Sequence, residues 1–126
     1  MRIAALILLL FVTQLSRAES YEEYWDKWHK DAEKVSKCDS IILVVDFLEK
    51  ALNNLGNAER SEANSETIGN LIIGFPDCFC SAFIELSDES REKIKRFYLK
   101  APLFHEKIRI DEALFSNKIS KQCHAF

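Results

Sequence analysis

The stretch CDSIILVVDFLEKALNNLG, residues 38–56, admits two readings, and the architecture of the chain depends on which one holds. Taken alone, Ile41–Val45 is a β-branched-rich run of the kind that fills a buried strand. Asp46, Leu48, Glu49, Leu52 and Leu55 then extend the segment with helical spacing well past an ordinary strand's length, which decides for a helix. Asp39 or Ser40 supplies its N-cap, and Gly56 stands where a C′ residue with positive φ ends a helix. Cys38, Ile41, Ile42, Val45, Leu48 and Leu52 are expected to share the buried stripe. Asp46 falls on the polar face or at an interface, with no identified partner for work as a catalytic acid.

Upstream, Tyr21–Lys37 repeats the helical pattern. Tyr21, Tyr24, Trp25, Trp28, Ala32 and Val35 fall on one face, while Glu22, Glu23, Asp26, Lys27, Lys30 and Lys34 occupy much of the other. Ser20 and Glu23 have the spacing of a capping box. The Tyr and Trp stripe has the chemistry to stack nucleobases or line a groove, but no cationic surround accompanies it, so core packing is the expectation. Before it, Met1–Arg2–Ile3 is a short basic start, Ala4–Val12 is unbroken apolar sequence, and Ser16 and Ala18 are the small residues that signal peptidase reads. That apolar run is far shorter than the ~20 residues a spanning helix needs, so 1–18 reads as a cleaved secretory signal peptide and 19–126 as a single helical domain. No Cys follows the run directly, which argues against a lipoprotein and for a protein that is periplasmic or otherwise extracytoplasmic, with no membrane segment left after cleavage.

Downstream, Gly56–Glu66 reads as an exposed polar connection, from which Glu59, Arg60, Glu62 and Asn64 are the candidate partner-binding residues. Asn64 or Ser65 then starts a short helix with Ile68, Leu71 and Ile72, stopped by Gly74 and Pro76. Asp77 is the expected cap of a helix carrying Cys80, Phe83 and Ile84. Ser87 or Asp88 begins another, containing Ile94, Phe97, Tyr98 and Ala101 and ending before Pro102. This last helix holds the densest basic stretch, Arg91, Lys93, Lys95, Arg96 and Lys100, moderated by Asp88, Glu89 and Glu92 and therefore expected to be a solvated face. A final helix is expected from Asp111 or Glu112 to Lys121, with Leu114, Phe115 and Ile119 inward. The pattern predicts an all-α fold, a compact disulfide-stapled bundle of five or six helices.

The staples are Cys38, Cys78, Cys80 and Cys123, all beyond the signal and so in an oxidising compartment. Cys78 and Cys80 are too close to pair comfortably within regular structure. Two pairings stay open: Cys38–Cys78 with Cys80–Cys123, or Cys38–Cys80 with Cys78–Cys123. A Cys-x-Cys redox centre or a thiolate metal site is the functional alternative, but the spacing lacks the usual Cys-x2-Cys knuckle.

Composition limits the function classes. Hydrophobic residues make up 48% of the 126-residue chain, enough for one core, and a formal charge of -3 gives no general attraction to nucleic acid. Signal cleavage removes Arg2 and Arg17 and no acid, making the remainder more acidic still. His29, His105 and His124 are far apart and form no metal-ligand pattern. No nucleophile elbow, phosphate loop or paired-carboxylate motif is present, so neither enzymatic activity, a metal nor any other cofactor is expected.

Cys38 before an apolar helix, the Cys78–Phe79–Cys80 segment, and Phe97-Tyr98-Leu99-Lys100-Ala101-Pro102 followed by a helix ending at Cys123 form a further pattern. Over about two-thirds of the precursor it resembles the small helical periplasmic immunity proteins that neutralise type VI secretion peptidoglycan amidases. Cys38, Cys80 and Cys123 match that pattern in position, whereas Cys78 and the aromatic Tyr21–Trp28 helix depart from it. The resemblance implies a non-enzymatic inhibitor whose protein partner is a cell-wall amidase toxin, blocked sterically at its active-site cleft. A homodimer is a further expectation to test. Two other classes stay open: a periplasmic helical chaperone, and a secreted carrier enclosing a small hydrophobic ligand among Phe79, Phe83, Phe97 and Phe115.

Overall fold

A computed structural model describes Glu19–Phe115; the signal stretch, Ile119, Lys121, Cys123 and His124 lie outside those residues. The chain divides into two compact units, Met1–Lys30 and Asp31–Phe126. Helix α1 (Tyr21–Ser36) crosses the boundary between them. Every regular element among the described residues is helical.

In the first unit, Ser20 starts α1 as expected: its Oγ accepts the Glu23 N–H at 3.1 Å and its carbonyl accepts the Tyr24 N–H at 3.0 Å. The rings of the aromatic stripe contact one another along the helix. Trp25 meets Tyr24 and Trp28 edge to face, each at 5.2 Å between ring centroids, and Tyr24, Trp25 and Trp28 stay half-buried while Tyr21 is exposed. Tyr21 and Trp25, four residues apart, and Trp25 and Trp28, three apart, meet as side chains on one helix face do. The buried residues of α1 are Ala32 and Val35, both in the second unit.

In the second unit α1 ends in a Schellman turn. The Cys38 N–H donates to Val35 O (3.0 Å) and the Asp39 N–H to Lys34 O (3.1 Å), with Cys38 at φ 53° in the left-handed region usually left to glycine. The expected left-handed Gly56 is absent: no described glycine has positive φ. Helix α2 (Ile41–Asn53) is capped by Ser40, whose Oγ accepts the Leu43 N–H at 3.4 Å. Its buried residues are Val44, Phe47, Leu48 and Ala51, a face rotated from the expected stripe, and Ile42 is 82% exposed. In a run as uniformly apolar as Ile41–Val45 only the polar residues fix the phase. The buried face lies opposite Asp46, Glu49 and Lys50, all exposed.

The larger correction concerns residues 58–66, which are helix rather than loop. Helix α3 (Ala58–Gly74) starts at Asn57, whose Oδ1 accepts the Arg60 N–H at 3.0 Å. Ser61, Asn64, Ser65 and Thr67 are buried on it ahead of Ile68, Leu71 and Ile72. Ser61 Oγ donates to Asn54 O at 3.0 Å, joining the start of α3 to the end of α2.

Helix α4 (Pro76–Phe83) has Pro76 in its first turn and Phe75, not Asp77, at the N-cap, because proline needs no partner for a missing N–H there. Ser87 caps α5 (Asp88–Ile94), accepting the Ser90 N–H at 3.2 Å. Instead of continuing as α-helix to Pro102, the chain enters a π-helical turn, Lys95–Leu99, closed by the Lys100 N–H on Lys95 O at 2.8 Å. The turn buries Tyr98 and Leu99 and leaves Phe97 and Ala101 exposed. Helix α6 (Lys107–Phe115) begins four residues before the expected Asp111; Leu114 points inward as expected, but Phe115 is 48% exposed.

Helices α2 and α3 form the centre. α2 packs against α3, α4 and α5, and α3 against α2, α4 and α6. Leu48, Ile68, Leu71, Ile72, Phe79, Ile94, Ile110 and Leu114 are almost fully buried. A disulfide from Cys38 to Cys78, 6.3 Å between Cα atoms, ties the end of α1 to the first turn of α4. Its 40-residue separation corresponds to about 4 kcal/mol in the chain-entropy model. Cys80, buried on the same helix, is also disulfide-bonded, and the Cys38–Cys78 bond rules out the alternative Cys38–Cys80.

Candidate functional site

Two features meet where α2 hands over to α3: a polar junction and an open cleft. Asn54 organises the junction. Its Oδ1 accepts Arg60 Nη1 (3.2 Å), its Nδ2 donates to Lys50 O (2.9 Å), and its carbonyl accepts both Ser61 Oγ and the Asn57 N–H. Beside it lies a cleft of about 240 Å³, walled by Leu55, Ser61, Phe97, Tyr98 and Leu103, with Arg96 at its edge.

Two of the walls are held by hydrogen bonds. Tyr98 donates its hydroxyl to Ala51 O at 2.9 Å, which anchors the π-turn on α2. The Leu103 N–H donates to Ser65 Oγ at 3.0 Å, pinning the segment after the turn to α3. Phe97 and Leu103 remain 39% and 58% exposed, and the Arg96 guanidinium stands 5.3 Å from the Phe97 ring centroid. The cleft therefore has an apolar lining, rigid supports and one cation at its mouth.

Of the four candidate binding residues, three keep some exposure and one is buried. Glu59 and Glu62 are exposed on the first turns of α3, Arg60 is half-buried against Asn54, and Asn64 is 2% exposed, facing the core. Asn64 is thus unavailable to a partner, because it lies on the buried helix face that the loop reading hid. Of the cleft residues, Leu103 is absent from the sequence-based binding candidates, and Phe97 is expected only as one of four rings around a small ligand. The π-turn moves Phe97 off the face where α-helical spacing would have put it.

The four phenylalanines expected around a carried ligand are dispersed. Phe79 and Phe83 pack on each other at 5.6 Å in the core, Phe97 lines the cleft above, and Phe115 lines a separate one. His105 is half-buried with its Nε2–H on Asn70 Oδ1 at 2.8 Å, its ring seated over Gly69. Asp46 pairs with Lys50 at 2.9 Å, and this hydrogen bond, chiefly, raises the Lys50 pKa above its ordinary 10.5. No group of three His, Cys, Asp or Glu among the described residues is placed to hold a metal ion. No helix among them is long and apolar enough to cross a membrane.

No protein-family model, curated protein or solved structure matches the chain. The reading of its site therefore stands on the geometry of these side chains.

Proposed function

We propose that the protein is a non-enzymatic, extracytoplasmic binding protein that docks on another protein by receiving one large apolar side chain in the cleft beside Phe97 and Leu103. The cleft itself carries this reading. At about 240 Å³ it is smaller than the roughly 300–1,000 Å³ that enclose a drug-sized ligand, yet ample for a single anchor residue. Exposed Phe97 and Leu103 offer apolar area to such an anchor, and Arg96 favours a carboxylate beside it. Disulfide stapling lowers the ordering cost of association. The signal-like first eighteen residues and the oxidised cysteines support an extracytoplasmic site of action.

The family resemblance supplies one partner to try, a periplasmic peptidoglycan amidase toxin inhibited by occlusion of its cleft. The deciding experiment isolates partners from extracytoplasmic fluid of the source with the wild-type protein and a Phe97→Ser/Leu103→Ser variant in parallel. A partner retained by the wild type and lost by a folded variant supports docking at the cleft. Equal retention by both refutes it. If the recovered protein cleaves peptidoglycan and one equivalent of wild type stops it, the inhibitor reading stands; an unaffected amidase activity removes that reading.

A further inference from the structure

A second cleft lies on the other side of the π-turn, against α6, with a volume of about 160 Å³. Its apolar surface comes from Leu99, Leu114 and Phe115, and Lys95, Lys100 and Lys107 stand around it with Asp111. Within a chain whose formal charge is -3, this is a local reversal of sign. The π-turn creates it. On an α-helix, residues five apart point about 140° from one another. Here the Lys100 N–H closes on Lys95 O, and the widened turn brings both lysines to one cleft. Such single π-turns frequently mark functional sites.

The charges already present define the ligand. Lys95 pairs with Glu92 at 3.2 Å and Lys107 with Asp111, while the ammonium of Lys100, at an exposed position, adds its charge to the same cleft. We propose that this cleft binds a small organic monoanion, a carboxylate with a compact apolar body, the body resting on Leu99, Leu114 and Phe115 and the carboxylate received by Lys100. A cavity of ~150 Å³ holds a benzene ring, so a single ring or a short chain matches the space. The site is independent of the partner cleft beside Phe97.

Benzoate is the probe, with benzyl alcohol as its neutral analogue and benzylamine as its cationic one, titrated into the disulfide-intact protein and followed by amide chemical shifts. Saturable shifts at Leu99, Lys100 and Leu114 with benzoate, and none with benzylamine, are expected. Lys100→Glu, a change at an exposed position, should weaken benzoate binding roughly tenfold or more, as loss of a hydrogen bond to a charged group implies. Three results overturn the proposal: no saturable shift with benzoate, equal binding of all three compounds, or undiminished benzoate binding by a folded Lys100→Glu variant.

Discussion

Gly69→Ala tests the packing of α3 against the segment before α6 more sharply than any cavity-forming change, because two effects of opposite sign compete. Gly69 is in the interior of α3 and buried. Replacing a mid-helix glycine by alanine ordinarily stabilises by up to about 1 kcal/mol, through reduced freedom of the unfolded chain. At this position an added Cβ would overlap His105 Cδ2 and lie 3.0 Å from both Cγ and Nε2 of the same ring. The ring must lift, and its hydrogen bond to Asn70 is then lost. Overpacking costs about 1–3 kcal/mol and the lost bond about 1, so Gly69→Ala should destabilise by roughly 1–3 kcal/mol net. With His105→Ala in place the obstruction is gone, and the same substitution should stabilise by ~0.5–1 kcal/mol. Urea denaturation followed by helical circular dichroism, at unchanged m-value, measures both legs of the cycle. If Gly69→Ala has the same sign and size with and without His105, the imidazole does not sit on this glycine.

Non-reducing peptide mapping should recover Cys38 linked to Cys78 and Cys80 linked to Cys123; a Cys38–Cys80 peptide would contradict the fold. Asn57→Ala removes the cap of α3 and should cost about 1 kcal/mol in denaturant stability, where a loop at 57–66 would show almost no change. Tyr98→Phe deletes the buried hydroxyl contact with Ala51 O and should cost about 1 kcal/mol or more, read in the same assay. Lys50→Met should change stability by only a few tenths of a kcal/mol, since the Asp46 pair is exposed. Because that pair raises the lysine pKa on folding, its small contribution is complete below pH 10.5 and fades as pH climbs through the raised value; a difference growing with alkalinity would be the wrong sign.

The helical class was legible because α2 is long. A segment of thirteen residues with Asp46, Glu49 and Lys50 inside it cannot be an ordinary strand, even though its first five residues look like one. Its orientation was harder to read, since Ile41–Val45 offers apolar groups in every direction and the exposed position of Ile42 follows only from where the later charges point. Helix α3 was hidden by the usual equation of buried with apolar. Ser61, Ser65, Ile68 and Ile72 recur at helical spacing from a good Asn57 cap, and no Gly or Pro interrupts residues 57–68. Small residues at that spacing carry the same geometric information as leucines, with a weaker hydrophobic signal. The cap, read together with this spacing, was the available clue.

The site was least legible because it depends on a change of helical pitch that no residue type announces. With uniform α-helical spacing after Ser87, Ile94, Phe97, Tyr98 and Ala101 belong to one inward face. The observed buried set is Ile94, Tyr98 and Leu99. The extra residue in the turn at Lys95–Leu99 lets Tyr98 reach Ala51 O while Leu99 stays buried. Phe97 is then delivered to one cleft and Lys95 and Lys100 to another. The basic stretch that composition alone assigns to solvent is thereby split: Arg96 stands at an apolar mouth and the two lysines face an apolar floor. Two candidate sites of different lining and size thus follow from one departure in backbone hydrogen bonding, from i+4 to i+5, held in place by a buried tyrosine hydroxyl.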